Sequence, residues 1–88
     1  MQFETGMVVR SKKGRDKGRF YMVCGSSGAL VLVTDGCRRT LDAPKAKNPI
    51  HLAPTRTVLR DTASVSDSEI RKALSEFTDR IALPKEVM

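Results

Sequence analysis

Apolar residues in the first part of the chain fall into short runs separated by turns that contain glycine. The runs at 7–9, 20–24 and 29–33 are short and rich in β-branched or aromatic residues, as is typical of strands. Asp35-Gly36 is the pair that most favours a two-residue hairpin, because such a turn needs positive φ twice. The pattern predicts a turn at 25–28 and strands at 7–11, 19–25, 29–34 and 37–41.

The apolar run at 20–24 shows no alternation, so it does not establish which of its side chains face the core. We predict that Val23 faces inward. Phe20 and Tyr21 are neighbours on the predicted strand and must point to opposite faces. We therefore expect one of these two aromatic side chains to lie outside, beside the loop that precedes them.

A proline-containing segment follows at 42–55, with Pro44, Pro49 and Pro54. Proline cannot donate to a strand ladder and breaks a helix, so this segment excludes a helix and a central strand alike. Residues 50–52 could add one short edge strand. Five short strands with tight turns within about fifty residues suit a small barrel or a half-open sandwich, and an SH3-like barrel matches this size.

The pattern changes to helical spacing after residue 65. Ser66 and Glu69 have the spacing of a capping box, and Pro84 is predicted to end the helix. One apolar stripe follows, formed by Ile70, Ala73, Leu74, Phe77 and Ile81. The sequence thus predicts a mainly β domain over 1–56, a linker over 57–65 and an amphipathic helix over 66–83 that packs on the domain or on a partner.

Charge is distributed unevenly along the 88 residues, whose net charge is +6. Residues 1–60 hold twelve Lys or Arg against four acids, whereas residues 61–88 hold four against six. A basic half of a small domain indicates a polyanionic partner. The sequence has no basic amphipathic helix that could lie on a membrane, so nucleic acid is the favoured partner.

The candidate binding residues lie in three basic segments, which are residues 11–19, residues 38–39 and residues 44–51. Residues 11–19 contain five cations around a single acid, Asp16. Arg38 and Arg39 are adjacent on the strand predicted at 37–41 and face opposite sides of it, so we expect only one of them to share a face with residues 11–19. Each segment could also be an ordinary solvated surface. The predicted contacts to phosphate are Lys12, Lys13, Arg15, Lys17, Arg19, Arg38, Arg39, Lys45, Lys47 and His51.

Other function classes find no support in the sequence. It offers no pairing of nucleophile and base and no glycine-rich phosphate loop, so we expect no enzyme and no cofactor or small-molecule substrate. Cys24, Cys37 and His51 lack the close spacing of zinc ligands, which disfavours a metal site. We expect both cysteines to be free thiols in the cytoplasm, since no run of signal-peptide or membrane-spanning length occurs.

Two stretches resemble a known family. Gly6-Met7-Val8-Val9 followed by Gly14-Arg15-Asp16-Lys17-Gly18 and an apolar strand resembles a KOW motif. The stretches 31–36 and 47–52, with Arg38-Arg39 between them, resemble archaeal and eukaryotic large-subunit ribosomal proteins of the fourteenth-protein type. As a whole, the chain is most similar to short bacterial KOW domain-containing RNA-binding proteins.

The resemblance covers residues 5–55 and implies an SH3-like barrel that binds RNA, expected to be ribosomal. It implies that the cations of residues 12–19 lie in an RNA-contacting loop, and that Arg38, Arg39, Lys45 and Lys47 form a second basic segment. After residue 57 the chain departs from the ribosomal pattern, with a slightly acidic stretch that ends in an amphipathic helix and without a long basic tail. This departure favours an accessory role in translation. The alternative is a protein-interaction module of the translation or transcription machinery.

Overall fold

A computed structural model describes residues 3–59 and 66–87, and the side chains of the C-terminal helix as far as residue 79. Five strands form one antiparallel sheet in the order β4-β3-β2-β1-β5. This confirms the predicted mainly β fold with five strands and a C-terminal helix. The elements are β1 Met7–Ser11, β2 Phe20–Ser27, β3 Leu30–Thr34, β4 Lys45–Lys47, β5 Leu52–Val58 and α1 Asp67–Val87.

The β2–β3 hairpin turns later than predicted. Residues 25–27 belong to β2, and the reversal occurs at Gly28-Ala29, with Ser27 paired to Leu30. The register between β2 and β3 shifts between Val23 and Gly25, which marks a bulge. The prediction of a turn over 25–28 is therefore wrong, because Gly25 accompanies a bulge, which is the other common reason for glycine in a strand.

The predicted fourth strand at 37–41 is wrong, since residues 35–41 form a loop, called here the arginine loop. The carboxylate of Asp35 accepts hydrogen bonds from the backbone amides of Cys37 and Arg39, each at 2.9 Å. The carbonyl oxygen of Arg39 accepts from the amides of Asp35 and Gly36. These local bonds compete with a strand ladder and fold the loop back on itself.

Both edges of the sheet come from the proline-containing segment, as its exclusion from central positions predicts. β4 pairs only with β3 and β5 only with β1 among the described residues, and Pro54 lies within edge strand β5. The predicted strand at 50–52 is wrong, because Pro49–His51 forms one turn of 3-10 helix, capped by the Asn48 side chain, which accepts a hydrogen bond from the Ile50 amide. The edge strand begins after it and extends through Val58.

The sheet is buried on both faces, which explains why its apolar runs do not alternate. One cluster contains Val9, Tyr21 and Val23 of the central strands together with Val31, Val33 and Leu52. On the other face, Val8 and Met22 pack against Ile70 and Leu74 of α1. Val23 is buried, as predicted. Neither Phe20 nor Tyr21 faces out: Phe20 packs against Phe77 and Tyr21 is buried.

The sheet curls strongly. In a flat sheet β4 and β1 would lie about 14 Å apart, which is three inter-strand spacings, and their side chains would stand perpendicular to it. Instead the Nζ atom of Lys47 in β4 donates a hydrogen bond of 2.8 Å to the Oγ atom of Ser11 in β1. The concave side of the sheet therefore encloses the first cluster, and it brings β4 close to the loop between β1 and β2.

The helix begins with the predicted capping box. The Ser66 amide donates to the Glu69 carboxylate at 3.0 Å, and the Glu69 amide donates to the Ser66 hydroxyl at 3.3 Å. The helix continues to Val87, so the prediction that Pro84 ends it is wrong; a proline inside a helix removes one hydrogen bond without always ending it. The predicted linker overlaps β5 at residues 57–58, and residues 60–65 of it lie outside the described residues. In the described chain no helix is both long and apolar enough to cross a membrane.

The first turn of α1 packs directly against Gly36 of the arginine loop. Gly36 has φ of 74°, and a Cβ atom there would overlap the carbonyl oxygen of Asp67 and lie 2.9 Å from the Arg71 amide nitrogen. Asp67 also accepts a hydrogen bond of 2.8 Å from the Leu41 amide, at the other end of the same loop. The helix thus holds both ends of the arginine loop.

Substitution of Gly36 by alanine is expected to lower the free energy of unfolding by about 3 kcal/mol or more, because backbone strain adds to a clash with helix backbone. Gly28→Ala is the matched control, since Gly28 also has positive φ (60°) but no atom lies within 4 Å of its would-be Cβ. The control is expected to cost about 1 kcal/mol. Urea unfolding of both variants measures the difference, and equal losses would contradict this packing.

Candidate functional site

A small cavity of about 210 Å³ lies where the loop between β1 and β2, the arginine loop and β4 meet. Five cations surround it, and the side chains of Asp16 and Tyr21 complete its lining. All four arginines are exposed, whereas the lysine is half-buried. We call this cavity the arginine pocket, and its cations are Arg15, Arg19, Arg38, Arg39 and Lys45.

The arginine loop brings two of these cations to the pocket together. Had residues 37–41 formed a strand, Arg38 and Arg39 would have pointed to opposite faces. The loop folds around the Arg39 backbone instead, through the Asp35 carboxylate and a hydrogen bond from the Thr34 hydroxyl to the Arg39 carbonyl. The expectation that only one of the two arginines could join the other basic loop is therefore wrong.

A buried carboxylate, that of Asp16, also lines the pocket. Asp16 accepts hydrogen bonds from Ser11 at 2.8 Å and from the Tyr21 hydroxyl at 2.7 Å. It also forms ion pairs with Lys45 at 2.9 Å and with Lys47 at 3.1 Å. We call these five residues the Asp16 cluster. Its carboxylate is fully engaged, so it ties the β1–β2 loop to β4.

Hydrogen bonds and burial within the cluster determine the protonation states of Asp16 and Tyr21. Burial raises the pKa of the Asp16 carboxyl, but hydrogen bonds from Tyr21, Lys45, Ser11 and Lys47 outweigh it and hold that pKa well below its usual range. Burial and the hydrogen bond to Asp16 raise the pKa of the Tyr21 hydroxyl, which stays a neutral donor. Asp16 is therefore ionised and Tyr21 protonated near neutral pH.

No described acidic side chain forms an ion pair with any of the four pocket arginines. Within residues 3–59 and 66–79, the ion pairs are those of Asp16 with Lys45 and Lys47, and none involves Arg15, Arg19, Arg38 or Arg39. Four guanidinium groups that line one small cavity repel one another, and an anion placed among them relieves that repulsion. Chemically, the arrangement is suited to bind a compact anion through several charge-assisted hydrogen bonds.

The other five residues predicted to contact phosphate do not line the pocket. Lys12, Lys13 and Lys17 are exposed on the β1–β2 loop but do not line the pocket. Lys47 is only 7% exposed, and it bonds to Asp16, Ser11 and the Lys13 carbonyl, so it supports the loop from inside. His51 is half-buried on the 3-10 turn, where its carbonyl accepts a hydrogen bond of 2.8 Å from the Lys12 amide.

Sequence reasoning missed the structural role of Asp16, Ser11 and Tyr21. One signal was present: Asp16 is the single acid among five cations in residues 11–19. A lone carboxylate in such a loop is a natural partner for cations that arrive from elsewhere in the chain. Nothing in the sequence indicated that those cations would be Lys45 and Lys47, since strand β4 was not predicted.

The two cysteines are free, as expected. Cys37 is exposed on the arginine loop, and Cys24 is half-buried in β2, where its thiol contacts the Leu32 carbonyl oxygen at 3.5 Å. Burial raises the pKa of the Cys24 thiol, which disfavours the reactive thiolate there.

No family model matches the chain, and no curated protein matches it at a significant level.

Proposed function

We propose that this chain is a non-enzymatic RNA-binding module that grips the phosphate backbone of structured, ribosomal RNA with its arginine pocket. One observation carries the proposal: cations from three separate chain segments line a single cavity. Charges that merely solvate a surface have no reason to converge in this way. The guanidinium group, with its planar fork of donors, suits phosphate oxygens better than an ammonium group does.

The choice of backbone over bases rests on the placement of the aromatic rings of β2 and α1. Single-stranded nucleic acid is usually held by exposed aromatic side chains on which bases stack. Tyr21 lines the pocket, but its ring is buried and its hydroxyl is bonded to Asp16. The rings of Phe20 in β2 and Phe77 in α1 pack edge to face. These placements favour recognition of the shape and charge of folded RNA.

The same proposal includes an SH3-like barrel of the KOW type and a translation-associated role in the cytoplasm. The strong curl of the sheet supports the barrel, because the Asp16 cluster joins β4 to β1 across its concave side. The KOW-like residues 14–18 form the loop that carries Arg15 and Asp16, which supports a role for that loop at the binding site.

The sequence feature that favours the alternative, a protein-interaction module, is the apolar stripe of α1. The apolar stripe of α1 could have offered a docking face to a partner. Ile70 and Leu74 are instead buried against Val8 and Met22 of the sheet, and Phe77 packs on Phe20. Within the described residues, the stripe is therefore occupied by the chain's own sheet.

Amide chemical-shift mapping with an RNA hairpin tests the proposal residue by residue. On titration we expect the largest shifts in the β1–β2 loop and the arginine loop, because both line the pocket. The amides around Arg56 in β5, which is exposed and outside the pocket, serve as the internal control. Shifts confined to β5 or to the outer face of α1 would contradict the proposed site.

A further inference from the structure

The arginine pocket has the size of a site for one charged group. Its volume of about 210 Å³ is below the range of roughly 300–1,000 Å³ that is usual for clefts that bind small organic molecules. Its lining contains four guanidinium groups, an ammonium group, a carboxylate and a buried tyrosine, and it offers no exposed aromatic ring on which a base could stack. A ligand that fills it is compact, oxygen-rich and anionic.

The charge of the pocket exceeds that of one backbone phosphate. A phosphodiester carries one negative charge, whereas a terminal phosphomonoester carries about −1.5 to −2 at pH 7. Asp16 is already neutralised by Lys45 and Lys47, so it does not offset the arginines. Four cations without a partner in the described chain therefore match a dianion better than a monoanion.

The arrangement of the cations also favours a terminal phosphate over a phosphodiester. Arg15 and Arg19 come from the β1–β2 loop, Arg38 and Arg39 from the arginine loop, and Lys45 from β4, so donors line the cavity from three chain segments. A phosphodiester has two unbridged oxygens and is flanked by nucleosides on both sides. A terminal phosphate presents three free oxygens and is flanked on one side only, so it can enter a pocket bounded on several sides.

We infer that the arginine pocket binds a terminal phosphate group of RNA, and that the protein prefers phosphorylated RNA ends over hydroxyl ends. This inference rests on the proposed RNA-binding function and places a terminal phosphate, in place of a backbone phosphate, in its pocket. The remaining surface cations, Lys12, Lys13 and Lys17, are left to contact the adjoining backbone.

The test compares one RNA hairpin with a 5′-phosphate and the same hairpin with a 5′-hydroxyl, by fluorescence anisotropy at pH 7.5. We expect the phosphorylated hairpin to bind about tenfold more tightly, from the added charge within hydrogen-bonding distance of arginine. Arg38→Gln should reduce this preference severalfold, while Arg56→Gln, an exposed arginine outside the pocket, should leave it unchanged.

Lowering the pH provides a second readout, because a terminal phosphate loses its second charge near pH 6. The preference should shrink between pH 7.5 and pH 5.5. The lining carboxyl and phenol do not produce this change, because Asp16 stays ionised and Tyr21 stays neutral, and the described residues that line the pocket include no histidine.

The outcomes separate this inference from the function on which it rests. Equal affinity for the two hairpins would overturn the end preference and leave backbone binding intact. Failure of both hairpins to bind would overturn the proposed function itself. A titration with inorganic phosphate identifies the source of the group: affinity equal to that of the phosphorylated hairpin would make the pocket a site for free phosphate and would also overturn the inference.

Discussion

Asp16→Asn is expected to lower the free energy of unfolding by about 3 kcal/mol, a large part of the roughly 5–10 kcal/mol typical of a domain of this size. Asparagine removes the negative charge and keeps one acceptor oxygen in place of two, so it can accept from Ser11 or from Tyr21 but not from both. Lys47, which is 7% exposed, then remains buried without a counter-charge. Removal of one partner of a buried pair is costly because the other charge loses its compensation.

Asp42→Asn is the matched control, since Asp42 is exposed and the change removes the same charge. It is expected to alter stability by less than about 0.5 kcal/mol in urea unfolding. Addition of Lys47→Met to Asp16→Asn should recover part of the loss, because it removes the uncompensated buried charge. Equal effects of Asp16→Asn and Asp42→Asn would contradict the role assigned to the Asp16 cluster.

The Asp16 cluster also predicts acid sensitivity with a definite sign. The pKa of Asp16 is lower in the folded protein than in the unfolded chain, where a carboxyl titrates near pH 4. Its contribution to stability is therefore complete above about pH 5 and is lost as the pH falls further toward the folded-state pKa. Between pH 5 and pH 2 the free energy of unfolding should fall more steeply for the wild type than for Asp16→Asn.

Arg15→Gln combined with Arg38→Gln is expected to weaken binding to structured RNA by about 100-fold or more. Each change removes charge-assisted hydrogen bonds worth roughly 1.5–3 kcal/mol, and each 1.4 kcal/mol corresponds to a factor of ten. The two arginines come from different loops of the same pocket. Their combined loss therefore tests whether the loops act as one site. Both side chains are exposed, so the fold should be retained, as circular dichroism can verify.

The control for this pair is Arg10→Gln with Arg56→Gln. Arg10 in β1 and Arg56 in β5 are exposed and lie outside the pocket, so the control removes the same charge from elsewhere on the protein. We expect less than about a threefold effect, attributable to the change in overall charge. If both pairs weakened binding equally, net charge would explain the affinity and the pocket would not.

Local signals predicted much of the fold. β1 has the bounds read from its β-branched run, and the capping box of α1 forms with both of its hydrogen bonds. The restriction of the proline-containing segment to sheet edges also follows from sequence. Each of these features is determined by residues close to one another in the chain.

Features that depend on distant contacts could not be predicted. The Asp35-Gly36 pair favours a hairpin locally, yet here the glycine accommodates the backbone of α1 more than thirty residues later. The burial of both sheet faces also depends on α1, which covers Met22 while Tyr21 and Val23 face the concave side. Continuous apolar runs alone do not reveal such a second covering layer.

In the candidate site, too, the local features could be predicted from sequence and the features that depend on distant contacts could not. Sequence identified all five pocket cations among ten candidates, because their charge and clustering are local properties. It could not separate Lys45, which lines the pocket, from Lys47, which is buried two residues later and turned toward Ser11. That distinction depends on the curl of the sheet and on Asp16, which together bring β4 against the β1–β2 loop.

The most direct test of the RNA-binding proposal is the affinity for a structured ribosomal RNA fragment across a salt series, with duplex DNA as competitor. Four to six phosphate contacts, the number the pocket and its neighbouring lysines could supply, predict that log K falls with log salt at a slope of about −3 to −5. The proposal predicts that slope, with RNA preferred over DNA. Weak binding that does not change with salt would contradict it.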